Sequence, residues 1–82
     1  MDIKVMNQKD KSILMYRVKT AKANEKFFSK ETMKFFGPQK FSIVIADGKP
    51  LFKIVFTERH PRTTYYSIDP KTYQLNHENY NE

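Results

Sequence analysis

The dipeptide Asp47-Gly48 lies between two apolar runs, Phe41–Ala46 and Lys49–Phe56, and it constrains the fold more than any other feature. A two-residue hairpin loop matches the twist of its strands when φ is positive at both positions, which Asp-Gly accepts. A reversal there pairs Ala46 with Lys49, Val44 with Leu51, Ile43 with Phe52 and Phe41 with Ile54. Opposed residues share a face of the sheet. Phe41, Ile43, Ile45, Phe52, Ile54 and Phe56 therefore point one way, and Ser42, Lys53 and Thr57 the other. A slip of one residue would exchange the faces, so the apolar pattern fixes the register. Pro50 falls at a non-hydrogen-bonded pair. Its missing N–H is turned away from the partner strand, which predicts a free edge at that end.

The stretch ahead of the hairpin, FFSKETMKFFG, predicts a short helix over Lys30–Phe36. Ser29 is the N-cap, and Glu31 sits in the first turn, where the helix dipole favours an acid. Phe28 before the cap and Met33 at the fourth helical position have the spacing of a hydrophobic staple. Gly37 supplies the left-handed C-terminal position and Pro38 blocks continuation. So short a helix persists only by packing, here assigned to Met33, Phe35 and Phe36.

The flanks are less sharply marked. Residues 2–6, DIKVM, alternate weakly and suit a short edge strand, and Asn7–Lys11 is polar and turn-like. Ser12–Val18 fits a strand with Leu14, Tyr16 and Val18 on one face, or a helix with Leu14, Val18 and Ala21 at helical spacing. The strand is the favoured reading, followed by a helical segment Ala21–Lys26 capped by Thr20. Arg59–Arg62 is a basic loop. Thr63–Asp69 forms a third strand with Thr64, Tyr66 and Ile68 on one face, and Asp69-Pro70 opens a turn. Tyr73–Leu75 adds a last short strand, and residues 76–82 form a flexible polar tail after a single domain spanning 1–75. The expected class is α+β: two short helices packed on an antiparallel sheet of three to five strands, with a β-meander in the C-terminal half. The expected core is Tyr16, Phe28, Met33, Phe36, Phe41, Ile43, Ile45, Phe52, Ile54, Phe56 and Ile68.

A chain of 82 residues makes one domain of modest stability, roughly 4–12 kcal/mol. Aromatic residues reach 15%, and large rings fill a small core efficiently. There is no cysteine, so neither a disulfide nor thiolate chemistry is available. No apolar run is long enough to span a bilayer, and MDIKVMNQKD lacks the apolar centre of a signal peptide. A soluble protein of the cytoplasm, without a membrane partner, is expected. Fifteen Lys and Arg against nine Asp and Glu give a net charge of +6. That excess favours an acidic partner, nucleic acid foremost, although it also serves solubility.

The run KTAKANEKFFSKETMKFFG, Lys19–Gly37, followed by a hairpin and an aromatic strand, resembles a small domain of unknown function encoded by bacteriophages and other mobile elements. The matching positions are Ala23, Asn24, Phe27, Phe28, Ser29, Thr32, Met33, Phe35 and Phe36. The segment before Lys19 has no counterpart in the pattern. The resemblance implies a fold and a setting: a small accessory protein of a phage or mobile element, acting inside a bacterial host cell. It brings no catalytic residues.

No enzymatic pattern is legible. His60 precedes Pro61 in the basic loop and His77 lies in the tail, so the chain has no set of three or four metal ligands at workable spacing. No serine has a partner pattern for nucleophilic catalysis, and Gly37 and Gly48 both serve local structure, which leaves no phosphate-cradling loop. No metal, cofactor or catalytic role is expected. Binding is the expected activity, with nucleic acid slightly ahead of a protein partner. Lys19, Lys22 and Lys26 recur at helical spacing as a basic stripe, and Lys30 and Lys34 repeat it one helix later. Arg59 and Arg62 flank the hairpin loop, and Tyr65, opposite in face to Tyr66, is placed to stack on an unpaired base. The bland alternatives are a solvated helix face for the lysines and half-burial for Tyr65. No helix-turn-helix, zinc-finger or RNP-type pattern accompanies them. The rival expectation is a protein-binding module that modulates a host enzyme or defence complex. Its surface is the second hairpin face, Val44, Leu51 and Val55 beside Lys53, and a homodimer through a sheet edge or face is a further possibility.

Overall fold

The computed structural model describes residues 6–80. The edge strand expected over residues 2–6 falls, apart from Met6, outside them. The chain runs α1 (Gln8–Thr20), a 3₁₀ segment (Lys22–Phe27), α2 (Lys30–Phe36), β1 (Gln39–Ala46), β2 (Lys49–Phe56), β3 (Arg62–Ile68) and β4 (Leu75–Glu78). The four strands form one antiparallel meander in sequence order. Two helices on a four-stranded antiparallel sheet make this a small α+β fold.

The hairpin has the predicted register, with Phe41 opposite Ile54, Ile43 opposite Phe52, Val44 opposite Leu51 and Ala46 opposite Lys49. Asp47 and Gly48 take φ of 51° and 75°, as the tight turn requires. The ladder to β3 runs from Leu51–Ser67 to Phe56–Arg62. Pro50 therefore lies just beyond the pairing with β3, where its missing N–H costs no ladder hydrogen bond.

One face of the sheet carries the helices. Val18, Ile43, Phe52, Ile54, Phe56 and Leu75 are buried there, with Leu14, Met15, Phe27, Phe28, Phe36, Phe41, Tyr66, Ile68 and Tyr73 packed around them. Phe28 meets Phe41 and Phe52 edge-on at 5.4 and 5.9 Å between centroids, and Phe36 meets Phe56 at 5.3 Å. Such tilted ring pairs add to the stabilisation from area alone. On the other face Ala46, Leu51 and Tyr65 form a small second cluster with Val44. Tyr80 closes on Tyr65 edge-on at 4.9 Å.

The favoured strand over Ser12–Val18 is overturned, because these residues belong to α1. Asn7 decides it: its side chain accepts from the Asp10 backbone N–H at 2.8 Å, capping a helix with an acid in the first turn and Arg17 and Lys19 in the last. Leu14 and Val18 then face the sheet at i, i+4 spacing, and Tyr16 turns outward. Tyr16 is 70% exposed and not part of the core. Thr20 is not an N-cap. Its hydroxyl donates back to the Tyr16 carbonyl at 2.8 Å, and the chain leaves α1 through an extended Ala21. The segment that follows is 3₁₀.

Helix α2 has the predicted bounds. Ser29 Oγ accepts from Thr32 N–H at 3.2 Å, and Thr32 Oγ1 donates on to the Lys26 carbonyl at 2.7 Å, tying α2 to the segment before it. Gly37 ends the helix at φ 77°, its N–H bonded to the Met33 carbonyl. The packing role given to Phe35 is a correction, since its ring is 64% exposed. The last strand is also displaced. It begins at Leu75 and runs to Glu78, so residues 76–78 complete the sheet where a tail was expected. Tyr73 instead sits in the turn at φ 64°. No helix among the described residues is long and apolar enough to cross a membrane.

Candidate nucleic-acid interface

The basic residues singled out from sequence are all exposed, but they do not form the expected stripe. Lys19 ends α1, with Nζ 5.0 Å from the centroid of Phe41. Lys22 and Lys26 lie beyond the break at Ala21, in a 3₁₀ segment of about three residues per turn. Four positions apart, they point roughly a third of a turn away from each other. Lys30 and Lys34 do share one side of α2, at i, i+4.

Arg59 and Arg62 come together with the aromatic end of α2. The β2–β3 loop begins against the α2–β1 junction, where Thr57 Oγ1 donates to the Pro38 carbonyl at 3.3 Å. Arg62 opens β3 on the helical face. Its guanidinium lies 3.9 Å from the Phe56 centroid and 5.4 Å from that of Phe36, and Nη1 donates to the His60 carbonyl at 3.0 Å. Arg59 holds its guanidinium 5.9 Å from the Phe35 ring. Phe35 meets Phe36 edge-on at 4.9 Å. Rings and cations thus run in order Phe56, Arg62, Phe36, Phe35, Arg59. A recess of about 320 Å³ is lined by Phe35, Phe36, Glu58, Arg59, His60 and Arg62. Cation–π contact orients a guanidinium without neutralising it, so both charges stay available to an anion.

Tyr65 cannot serve as a stacking platform. It is 5% exposed, packed under Tyr80, with Lys53 Nζ 5.9 Å from its ring centroid. The proposed protein-binding face is partly withdrawn in the same way. Val44, Lys53 and Val55 are half-buried on the outer face, but Leu51 is sealed in the small cluster with Ala46 and Tyr65. Exposed apolar side chains lie instead on α1, where Ile13 and Tyr16 border a recess of about 540 Å³ that also includes Arg17 and Tyr73. Among the described residues no three His, Asp or Glu side chains converge as metal ligands.

Phe35 is the residue of this recess that sequence reasoning misplaced, and the signal was there. Successive residues on an α-helix turn by about 100°, so Phe35 stands roughly 200° from Met33. If Met33 and Phe36 face the sheet, Phe35 must face water.

Compared with protein-family models, with curated proteins and with solved structures, the chain has no match.

Proposed function

We propose that this protein is a small, basic, non-catalytic accessory protein of a phage or mobile element that acts in the bacterial cytoplasm by binding nucleic acid. The observation that carries the reading is that Arg59, Arg62 and the exposed Phe35 line one recess at one end of the sheet. Guanidinium groups grip phosphate, and an exposed ring offers a surface for a base. The net charge of +6 draws a polyanion toward that end, with Lys30 and Lys34 on the neighbouring helix. The phage setting rests on the resemblance of Lys19–Gly37 alone.

A protein-binding role, modulating a host enzyme or defence complex, is the second reading. It is favoured by exposed Ile13 and Tyr16 on α1, an apolar pair on an otherwise polar helix face. Homodimerisation through the β1 edge belongs to this class.

Binding to single- and double-stranded DNA and RNA at ~50 and ~200 mM salt separates the two readings. Six or more phosphate contacts weaken affinity by about 10³-fold or more across that range. Absence of binding to all four at the lower salt would overturn the nucleic-acid reading in favour of a protein partner.

A further inference from the structure

We propose that the Phe35–Arg59–Arg62 recess is a single-strand site that stacks one unpaired base on the Phe35 ring and holds the adjoining phosphates with the two arginines. This rests on the nucleic-acid reading above and specifies its ligand. The ring is the reason. Phe35 is 64% exposed, while the adjacent Phe36 makes the contact with Phe56 that anchors α2. The fold therefore gains little from a large apolar side chain at position 35. A base inside a duplex has both faces covered by its neighbours, so an open ring has use only for a base already out of the stack.

The surroundings fit that ligand. The recess, about 320 Å³, is at the small end of ligand-sized sites and has room for a base rather than for a groove-filling element. Edge-on contact with Phe36 holds the Phe35 ring, and the Arg59 guanidinium lies over one face of it at 5.9 Å, which leaves the opposite face for a base. Arg59 takes a φ of 61°, a backbone conformation that non-glycine residues seldom adopt. Arg62 is fixed more firmly, between two rings and the His60 carbonyl. Both present a fork of donors suited to phosphate oxygens. Glu58 also lines the recess, its carboxylate near Gly37. An anion must therefore lie on the arginine side, while the carboxylate can accept from a base amino group.

The test uses the full chain and a fluorescein-labelled strand of about 12 nucleotides, as RNA, as DNA and as the matching duplex. Wild type should bind the single strands more tightly than the duplex. Phe35→Ala should weaken single-strand binding about 5- to 150-fold and leave the thermal midpoint unchanged. Phe35→Tyr should retain binding. The chain has no tryptophan, so Phe35→Trp places a sole indole at the site, and its emission should be quenched by the single strands and not by the duplex. Wild-type binding with no effect of Phe35→Ala, or with no quenching, would overturn this site while the nucleic-acid reading stands. A preference for duplex would overturn the single-strand assignment. Failure of wild type to bind any of the three would remove the parent reading as well.

Discussion

Asn24 is a fully buried polar residue, and both polar atoms of its side chain are hydrogen-bonded. Nδ2 donates to the Val18 and Tyr73 carbonyls at 2.9 and 2.8 Å, and Oδ1 accepts from Leu75 N–H at 3.0 Å. One amide thus joins the end of α1, the β3–β4 turn and the first residue of β4. Asn24→Leu keeps the approximate volume but leaves an N–H and two carbonyls without that partner. Buried unsatisfied groups cost about 1–3 kcal/mol. Urea denaturation of the variant should show a loss of roughly 3 kcal/mol, a large share of the total for a chain of this size. An unchanged midpoint would mean that the three backbone groups find other partners. In the sequence Asn24 was visible only as part of a motif. Its role depends on contacts with residues 73 and 75, and no local pattern encodes them. Phe35 is the opposite case, because its outward direction follows from helical geometry and only the packing role given to it beside Met33 and Phe36 concealed it.

Among the elements, the hairpin and α2 were legible because start, stop and register signals are local and agree. Ser29, Gly37 and Asp47-Gly48 each do what their chemistry favours. Helix α1 was not legible from apolar spacing alone, since Ile13, Leu14, Met15, Tyr16 and Val18 supply both a strand-like and a helix-like face. The cap at Asn7 breaks the tie, and the turn-like look of Asn7–Lys11 hid it. β4 was shifted because Asp69 builds a longer turn than Asp-Pro suggests. Asp69 Oδ1 accepts from Lys71 and Thr72 N–H at 2.8 and 3.0 Å, and its backbone N–H donates to the Gln74 carbonyl. The hydrogen bond from Thr72 N–H, then that from Lys71, holds the Asp69 carboxyl below its ordinary 3.8. A depressed carboxylate stabilises the fold above its unfolded value and loses that contribution as pH falls through the folded one. The stability difference between wild type and Asp69→Asn, from urea midpoints, should therefore be largest near neutrality and shrink on the acid side of 3.8. A difference that stays constant with pH would remove the charge from the account. At the end of α2, Gly37 has φ 77° and ψ −162°, a region that glycine alone occupies without strain. A Cβ there would meet Glu58 Cβ at 3.6 Å, an ordinary contact, so the cost of Gly37→Ala is conformational. It should be about 1–3 kcal/mol, seen as a lower midpoint in thermal melts.

At the scale of the whole molecule, the sheet separates two kinds of surface. The helical side carries Lys19, Lys22, Lys26, Lys30, Lys34 and the two arginines around an aromatic interior. The outer face carries Lys40, Lys49 and Lys53 beside the small cluster closed by Tyr80. If binding were diffuse attraction to a basic body, every cation would contribute alike. If it is centred on the aromatic end, the arginines must dominate. Salt dependence distinguishes these, because each phosphate that goes unneutralised lowers the slope of log affinity against log salt by about 0.7 for a single strand. Arg59→Ala with Arg62→Ala should reduce the slope by about 1.4 and weaken binding at ~50 mM salt. Lys22→Ala with Lys26→Ala, which removes the same charge from a segment whose side chains diverge, should weaken binding with a smaller change of slope. Fluorescence anisotropy titrations across a salt series read both quantities at once. Equal slopes for the two double variants would assign binding to net charge and remove the arginine–phenylalanine end from the mechanism.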